Sequence, residues 1–133
     1  MPIITDFPLP ASAATLKPPT QPNTPFFLAF LASVDPATGK PWCPDVVAAL
    51  PVLHEAFSAE HAPVVAFAEV GQKVEWRDPS NVFRTKWKLS AVPSLVRFEA
   101  VDGEVKEVGR LVEAEILDRG RLGKFIGGRE ARI

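Results

Sequence analysis

Trp42-Cys43-Pro44-Asp45-Val46, with the apolar run Phe26-Phe27-Leu28-Ala29-Phe30-Leu31 before it and a helical pattern after it, is the stretch on which the reading of the chain turns. Phe26 to Ser33 is almost continuously apolar, the pattern of a central strand covered on both faces. From Val46, the residues Leu50, Leu53 and Phe57 follow at steps of four, three and four, which places them on one helix face. Pro44 lies just inside that helix start, where its missing N–H costs nothing. Pro51, in the interior, removes a hydrogen bond and predicts a bend. Cys43, the only cysteine in the sequence, therefore lies where a strand gives way to a helix. The unpaired N–H groups of a first turn and the positive end of the helix dipole favour the thiolate, the nucleophilic form.

Outward from this stretch, Asp35 to Pro41 is a turn-rich loop leading to the cysteine. Lys40 within it either adds positive potential near Cys43 or is simply solvated. Pro63 to Val70 reads as the next buried strand, closed by Glu69. Asp78-Pro79-Ser80 is a helix-start signal, the Asp capping free N–H groups and the Pro taking the first turn. A short helix over Asn81 to Lys88 then sets Phe83 and Trp87 a turn apart. Trp76 has two readings, one as core packing and one as a flank of the cysteine that shapes partner choice. Ser94 to Ala100 and Glu104 to Val108 surround Val101-Asp102-Gly103, and Asp-Gly between strand-like runs marks a hairpin. Leu111 to Ile126 is expected to close the chain as one helix with Val112, Ile116 and Leu117 inward, weakened by Gly120 and Gly123. Its Arg119, Arg121 and Lys124 suit a helix C-terminus and read as a solvated face. At the other end, residues 2 to 7 read as a short edge strand, and Pro8 to Pro25 as a Pro-rich, partly mobile segment in which Ala11 to Lys17 can manage two turns of helix.

An apolar strand, W-C-P-x-x at a helix start, Pro51 eight residues after the cysteine and Ala91-Val92-Pro93-Ser94-Leu95 downstream together resemble the thioredoxin fold. The finer resemblance, over roughly residues 25 to 126, is to the thioredoxin domain-containing protein 17 family, whose site reads W-C-P-D-C. Val70-Gly71, Trp76-Arg77-Asp78-Pro79, Asn81 and Phe83-Arg84 are similar to that family's loop after its central strand. The resemblance implies an α/β thioredoxin-like fold, a central mixed sheet flanked by helices. A thioredoxin-like domain is expected over 25–133, with 1–24 read from its own residues as an N-terminal strand and Pro-rich segment packing on it. The resemblance also implies Cys43 as nucleophile, Trp42, Pro44 and Asp45 as its surroundings, and Val92 with Pro93 as the presenter of substrate. The bare sequence favours a trans Val92–Pro93 bond; the resemblance implies a cis one lying against the cysteine. Val46 stands where the family has its second, resolving cysteine, and Ser33 is the only polar residue near the end of a strand where many thioredoxins carry a buried carboxylate.

The remaining composition narrows the field. The 133 residues, 47% apolar, suit one domain, and a net charge of −1 gives no general attraction for nucleic acid or anionic membrane. Nothing at the start reads as a signal peptide, no run is long enough to span a bilayer, and a cytoplasmic monomer is expected. His54 and His61 with one cysteine make no zinc spacing, Gly127-Gly128 ends a helix rather than opening a phosphate loop, and no metal or other cofactor is expected. His54 is about 16 Å along the helix from Cys43, too far to be its base.

Two functions stay open. In one, the chain is a thiol–disulfide oxidoreductase whose single thiolate attacks protein disulfides or glutathionylated substrates, with glutathione or thioredoxin reductase as reductant. In the other, it is a binding or redox-sensing module that keeps the fold without turnover.

Overall fold

The computed structural model describes residues 3–21 and 23–127. Its centre is β2 (Phe26–Leu31), in which every residue is buried. The reason is visible in the alternation of its side chains. Phe27 meets Phe57 and Phe125 edge-on, with ring centroids 5.4 and 5.7 Å apart, on one face. Phe26 packs on Phe7, and Phe30 on Phe83 and Trp87, on the other. Each such aromatic pair adds about 0.5–1.5 kcal/mol beyond its buried area. A strand covered twice has no position for a polar residue, which explains the unbroken apolar run.

Around β2 the sheet is mixed. Its order is β1 (Ile3–Ile4), β5 (Val64–Glu69), β2, β6 (Ser94–Val101) and β7 (Glu104–Val112). β1 and β2 both run parallel to β5, whereas β6 runs antiparallel to β2 and to β7. β6 and β7 are joined through Asp102 and Gly103, at φ +54° and +81°, the left-handed pair a tight hairpin requires. The register slips by one residue between Arg97 and Phe98, a bulge on the β7 side. A separate two-stranded ribbon, β3 (Val34–Asp35) with β4 (Lys40–Pro41), stands within the turn-rich loop. Helix α1 (Pro44–Phe57) continues through Pro51 and buries Val46, Ala49, Leu53 and Phe57, with Leu50 only half-buried.

Several expectations change. The edge strand is confined to Ile3–Ile4, with Pro2 outside the described residues, and Ala11–Lys17 holds a single 3-10 turn at Ala13–Thr15. Asp78 does not cap the helix that follows it. Its carboxylate accepts the backbone N–H and hydroxyl of Ser80, at 2.9 and 2.8 Å, so the chain turns once more before α3 (Val82–Thr85) begins, capped by Asn81 accepting from Phe83 N–H at 2.8 Å. A helix not foreseen, α2 (Lys73–Arg77), precedes it, opened by the Glu75 carboxylate reaching back to accept the N–H of the N-cap Gln72 at 2.7 Å. Finally, the closing helix is two: Leu111 and Val112 pair with β6 as strand, then α4 (Ala114–Leu117) and α5 (Arg119–Gly127) follow. Ile116 is buried as expected, but Val112 is half-buried because it still belongs to the strand, and Leu117, the last residue of α4, is exposed. α5 is described to Gly127, and Gly128 lies outside the described residues.

Candidate functional site around Cys43

Cys43 is the N-cap residue of α1, with φ −103° and ψ 120°, an extended conformation that hands the chain from the ribbon to the helix. Its carbonyl accepts from Val46 and Val47 N–H, at 3.0 and 3.1 Å, which fixes it to the first turn. The thiol is half-buried, and Sγ lies 3.8 Å from the carbonyl oxygen of Val92, to which the S–H donates. Val92–Pro93 is the one cis peptide bond among the described residues, and both residues are buried. The α1 start and the loop before β6 thus meet at the thiol, although 49 residues separate them in sequence.

The neighbours of Cys43 divide by exposure. Pro44 takes the first helical position and Asp45 lies in the first turn, both exposed. Val46, three residues on from the thiol, is fully buried against the sheet, so the position that the family resemblance gives to a second cysteine is core in this chain. Trp42 is half-buried, and its indole Nε1–H donates to the Gly71 carbonyl at 2.8 Å. On its other side, Trp42 joins Lys40, Pro41, Pro44 and Val47 in lining an open groove of about 350 Å³. Lys40 therefore lines the groove next to the thiol-bearing turn. Among the described residues no cluster of His, Cys, Asp and Glu is arranged to hold a metal ion.

Trp76 is placed by its packing. Only 6% of it is exposed, the Arg84 guanidinium lies over its ring at 4.1 Å from the centroid, and Arg84 Nε also donates to its carbonyl. A ring so covered has little surface to offer a substrate. The sequence reading did not find the partners of Trp42. Gly71 is 29 residues away, and a main-chain carbonyl carries no residue-type signature to find it by.

This arrangement offers one nucleophilic thiol at a helix start, partly accessible, facing a main-chain carbonyl across the site. A thiolate so placed is able to attack a sulfur–sulfur bond brought alongside.

A family model described as thioredoxin domain-containing protein 17-like, thioredoxin domain, matches residues 11–122. A thioredoxin domain-containing protein of Schizosaccharomyces pombe is 42% identical over 105 residues, which are 78% of this chain and 84% of that one. Human thioredoxin domain-containing protein 17 is 39% identical over 92 residues, 68% of each chain. Oxidised mitochondrial thioredoxin 3 of Saccharomyces cerevisiae superposes with a TM-score of 0.50 at 22% identity, covering 80% of this chain and 79% of that chain, and shares its fold.

Proposed function

The chain belongs to the thioredoxin domain-containing protein 17-like family, and from that footing we propose that it is a thiol–disulfide oxidoreductase working with Cys43 alone and restored by an external thiol. The observation that carries this reading is the half-buried Cys43 Sγ at the start of α1, facing the Val92 carbonyl beside Pro93. In the first step the Cys43 thiolate attacks one sulfur of a protein disulfide or of a glutathione adduct. A new Cys43–sulfur bond forms, the substrate bond breaks, and the other sulfur leaves as thiolate, taking a proton from water. In the second step glutathione, as thiolate, attacks the mixed disulfide. Cys43 leaves as thiolate, and its former partner departs joined to glutathione. Where that partner is glutathione itself, it departs as glutathione disulfide and the substrate thiol is already free; where it is a protein, a second glutathione attacks the protein–glutathione disulfide, so two glutathiones leave as one glutathione disulfide for each protein disulfide reduced, and the cycle closes without a second cysteine.

Each neighbour has a part in this cycle. Trp42 and Pro44 form the wall and floor against which the target disulfide rests, and Asp45 adds charge in the first turn. The main chain at Val92 and Pro93 aligns an extended substrate segment by strand-like pairing. Substrates are protein disulfides or glutathionylated proteins, met in the cytoplasm by a monomer, with glutathione or thioredoxin reductase as reductant.

The test is turnover of a small disulfide and of a glutathionylated peptide, each with glutathione and with thioredoxin reductase, for the native chain and Cys43→Ser. Glutathione-dependent turnover that the serine variant lacks is the expected result. A second reading, that of a redox-sensing or binding module, is favoured by valine at position 46, which leaves no second thiol in the first turn to release a bound partner. Folded protein without turnover in any combination would establish that reading instead.

A further inference from the structure

Ser33, two residues past β2, is buried to 8% exposure and lies at the centre of a closed ring of hydrogen bonds. Its hydroxyl oxygen accepts Gly71 N–H at 3.0 Å, and its own N–H donates to the Gly71 carbonyl at 3.2 Å. That carbonyl also accepts the Trp42 indole N–H, at 2.8 Å, so both its lone pairs are engaged. Trp42 N–H returns to the Ser33 carbonyl at 3.3 Å. The residue before the nucleophile is thus held at its backbone and at the far edge of its ring.

The same corner is fastened from outside. Gln72 Nε2 donates to the Val34 carbonyl at 2.7 Å, tying the loop after β5 to the ribbon. Gly71 itself has φ +99°, and a Cβ there would meet Glu75 Oε1 at 2.8 Å, an oxygen already accepting Gln72 N–H at 2.7 Å. Only a glycine can present both its N–H and its carbonyl to Ser33 and Trp42 in this space.

We propose that Ser33 is a positioning residue for Cys43: through Gly71 its hydroxyl fixes the Trp42 indole, and Trp42 fixes the adjoining thiol. Without the hydroxyl, the Gly71 N–H loses its acceptor in a half-buried place, the glycine shifts to find another, and its carbonyl moves away from the indole. Cys43 then keeps its sulfur but not one defined presentation of it, which slows attack on a docked disulfide and opens the sulfur to small reagents. The consequence for exchange rests on the one-cysteine reading; the consequence for thiol presentation does not.

The experiment compares the native chain with Ser33→Ala and Ser33→Thr by two readouts that need no turnover. Hydrogen exchange of the Trp42 indole N–H, its signal assigned with Trp42→Phe, is expected to quicken about two- to tenfold in Ser33→Ala, the range of one lost hydrogen bond. Iodoacetamide alkylation of Cys43 is expected to quicken by a similar factor. Ser33→Thr, which keeps the hydroxyl, restores both. A lower melting temperature with neither rate changed would overturn the proposal, since that is all a merely structural serine would produce. Should Ser33→Ala not fold, Trp42→Phe removes the indole donor directly, and unchanged alkylation in that variant would overturn it as well. Exchange with a glutathionylated peptide, followed in parallel, separates the two ideas: a native chain that never exchanges sinks the oxidoreductase reading and leaves the positioning result to stand or fall by itself.

Discussion

Replacing Val46 with cysteine puts a thiol back at the third helical residue, and the structure sets what this does to stability and to chemistry. Val46 is fully buried, and its N–H donates to the Cys43 carbonyl at 3.0 Å, so the two positions share one turn. Exchanging a buried valine for cysteine removes roughly a methyl group, about 0.5–1.5 kcal/mol by analogy with a buried Ile→Val change. The reduced variant is therefore expected to melt a few degrees lower, at about 3–6 °C per kcal/mol for a chain of this size. Oxidation closes a four-residue loop, which the chain-entropy relation values at about 2 kcal/mol, so the oxidised variant is expected to melt at or above the native chain. Calorimetry with and without reductant reads both numbers, and alkylation followed by mass analysis reports whether Cys43 has become protected. The dithiol variant is also expected to reduce substrate with thioredoxin reductase in the absence of glutathione. An air-oxidised variant whose Cys43 is still freely alkylated, melting alike with and without reductant, would refute the placement of position 46 beside the thiol. A paired variant that still depends on glutathione would refute the claim that Val46 is what imposes an external thiol.

Two further outcomes follow from charged groups. Arg97, 8% exposed, donates from one terminal nitrogen to the Phe125 and Ile126 carbonyls, both at 2.9 Å, and pairs with Glu99 at 2.6 Å. Arg97→Met fills the space but leaves the last carbonyls of α5 without a charged donor, so a loss of about 1.5–3 kcal/mol is expected in chemical denaturation; a loss below measurement would show that water replaces the guanidinium at no cost. At Asp78, the backbone N–H of Ser80 and then its hydroxyl hold the carboxyl below its usual value of 3.8. Its contribution to stability is present above the ordinary carboxylate range and is lost as pH falls through the lowered value. Ser80→Ala keeps the larger backbone contribution and loses the hydroxyl, so an NMR titration of Asp78 is expected to move part of the way upward, and an unmoved titration would refute the assignment.

How much of this was legible in the sequence depends on the distance over which each signal acts. The Asp102-Gly103 hairpin and the Cys43 helix start are local, and both were readable from a few adjacent residues. α2 was not, because Lys73 to Arg77 spans barely more than one turn, buries only Trp76 and starts on a glutamine rather than one of the strong caps. The Asp78 reading failed because an aspartate before proline has two uses for its carboxylate, and hydrogen bonding to Ser80 in a turn won over capping a helix. The closing helix was overextended because the pattern of Leu111 and Val112 suits a helix face as well as a strand, and pairing with β6 decided it. The cysteine itself was the strongest signal of the site. What lay beyond sequence was its frame: the Val92 carbonyl, Gly71 and Ser33 come to it from separate segments, through main-chain atoms that any residue can supply.

That frame changes what a single cysteine means. A resolving thiol on the same chain acts at an effective concentration from about millimolar for a loose tether up to about 10⁵–10⁸ M for well-oriented groups. An external thiol acts only at its own concentration. In the proposed cycle the first step keeps the advantages of the fold, a helix-start thiol and a prepared docking edge, whereas the second step has none of them. Formation of the mixed disulfide and its resolution are thereby uncoupled, and the complex of Cys43 with its substrate becomes the species whose lifetime the surrounding thiol concentration sets. Valine at position 46 is what uncouples them, since it shares the first turn with Cys43 but carries no thiol to attack the mixed disulfide. Oxidoreductase and redox-sensing module are then two regimes of one site, separated by how quickly an outside thiol arrives.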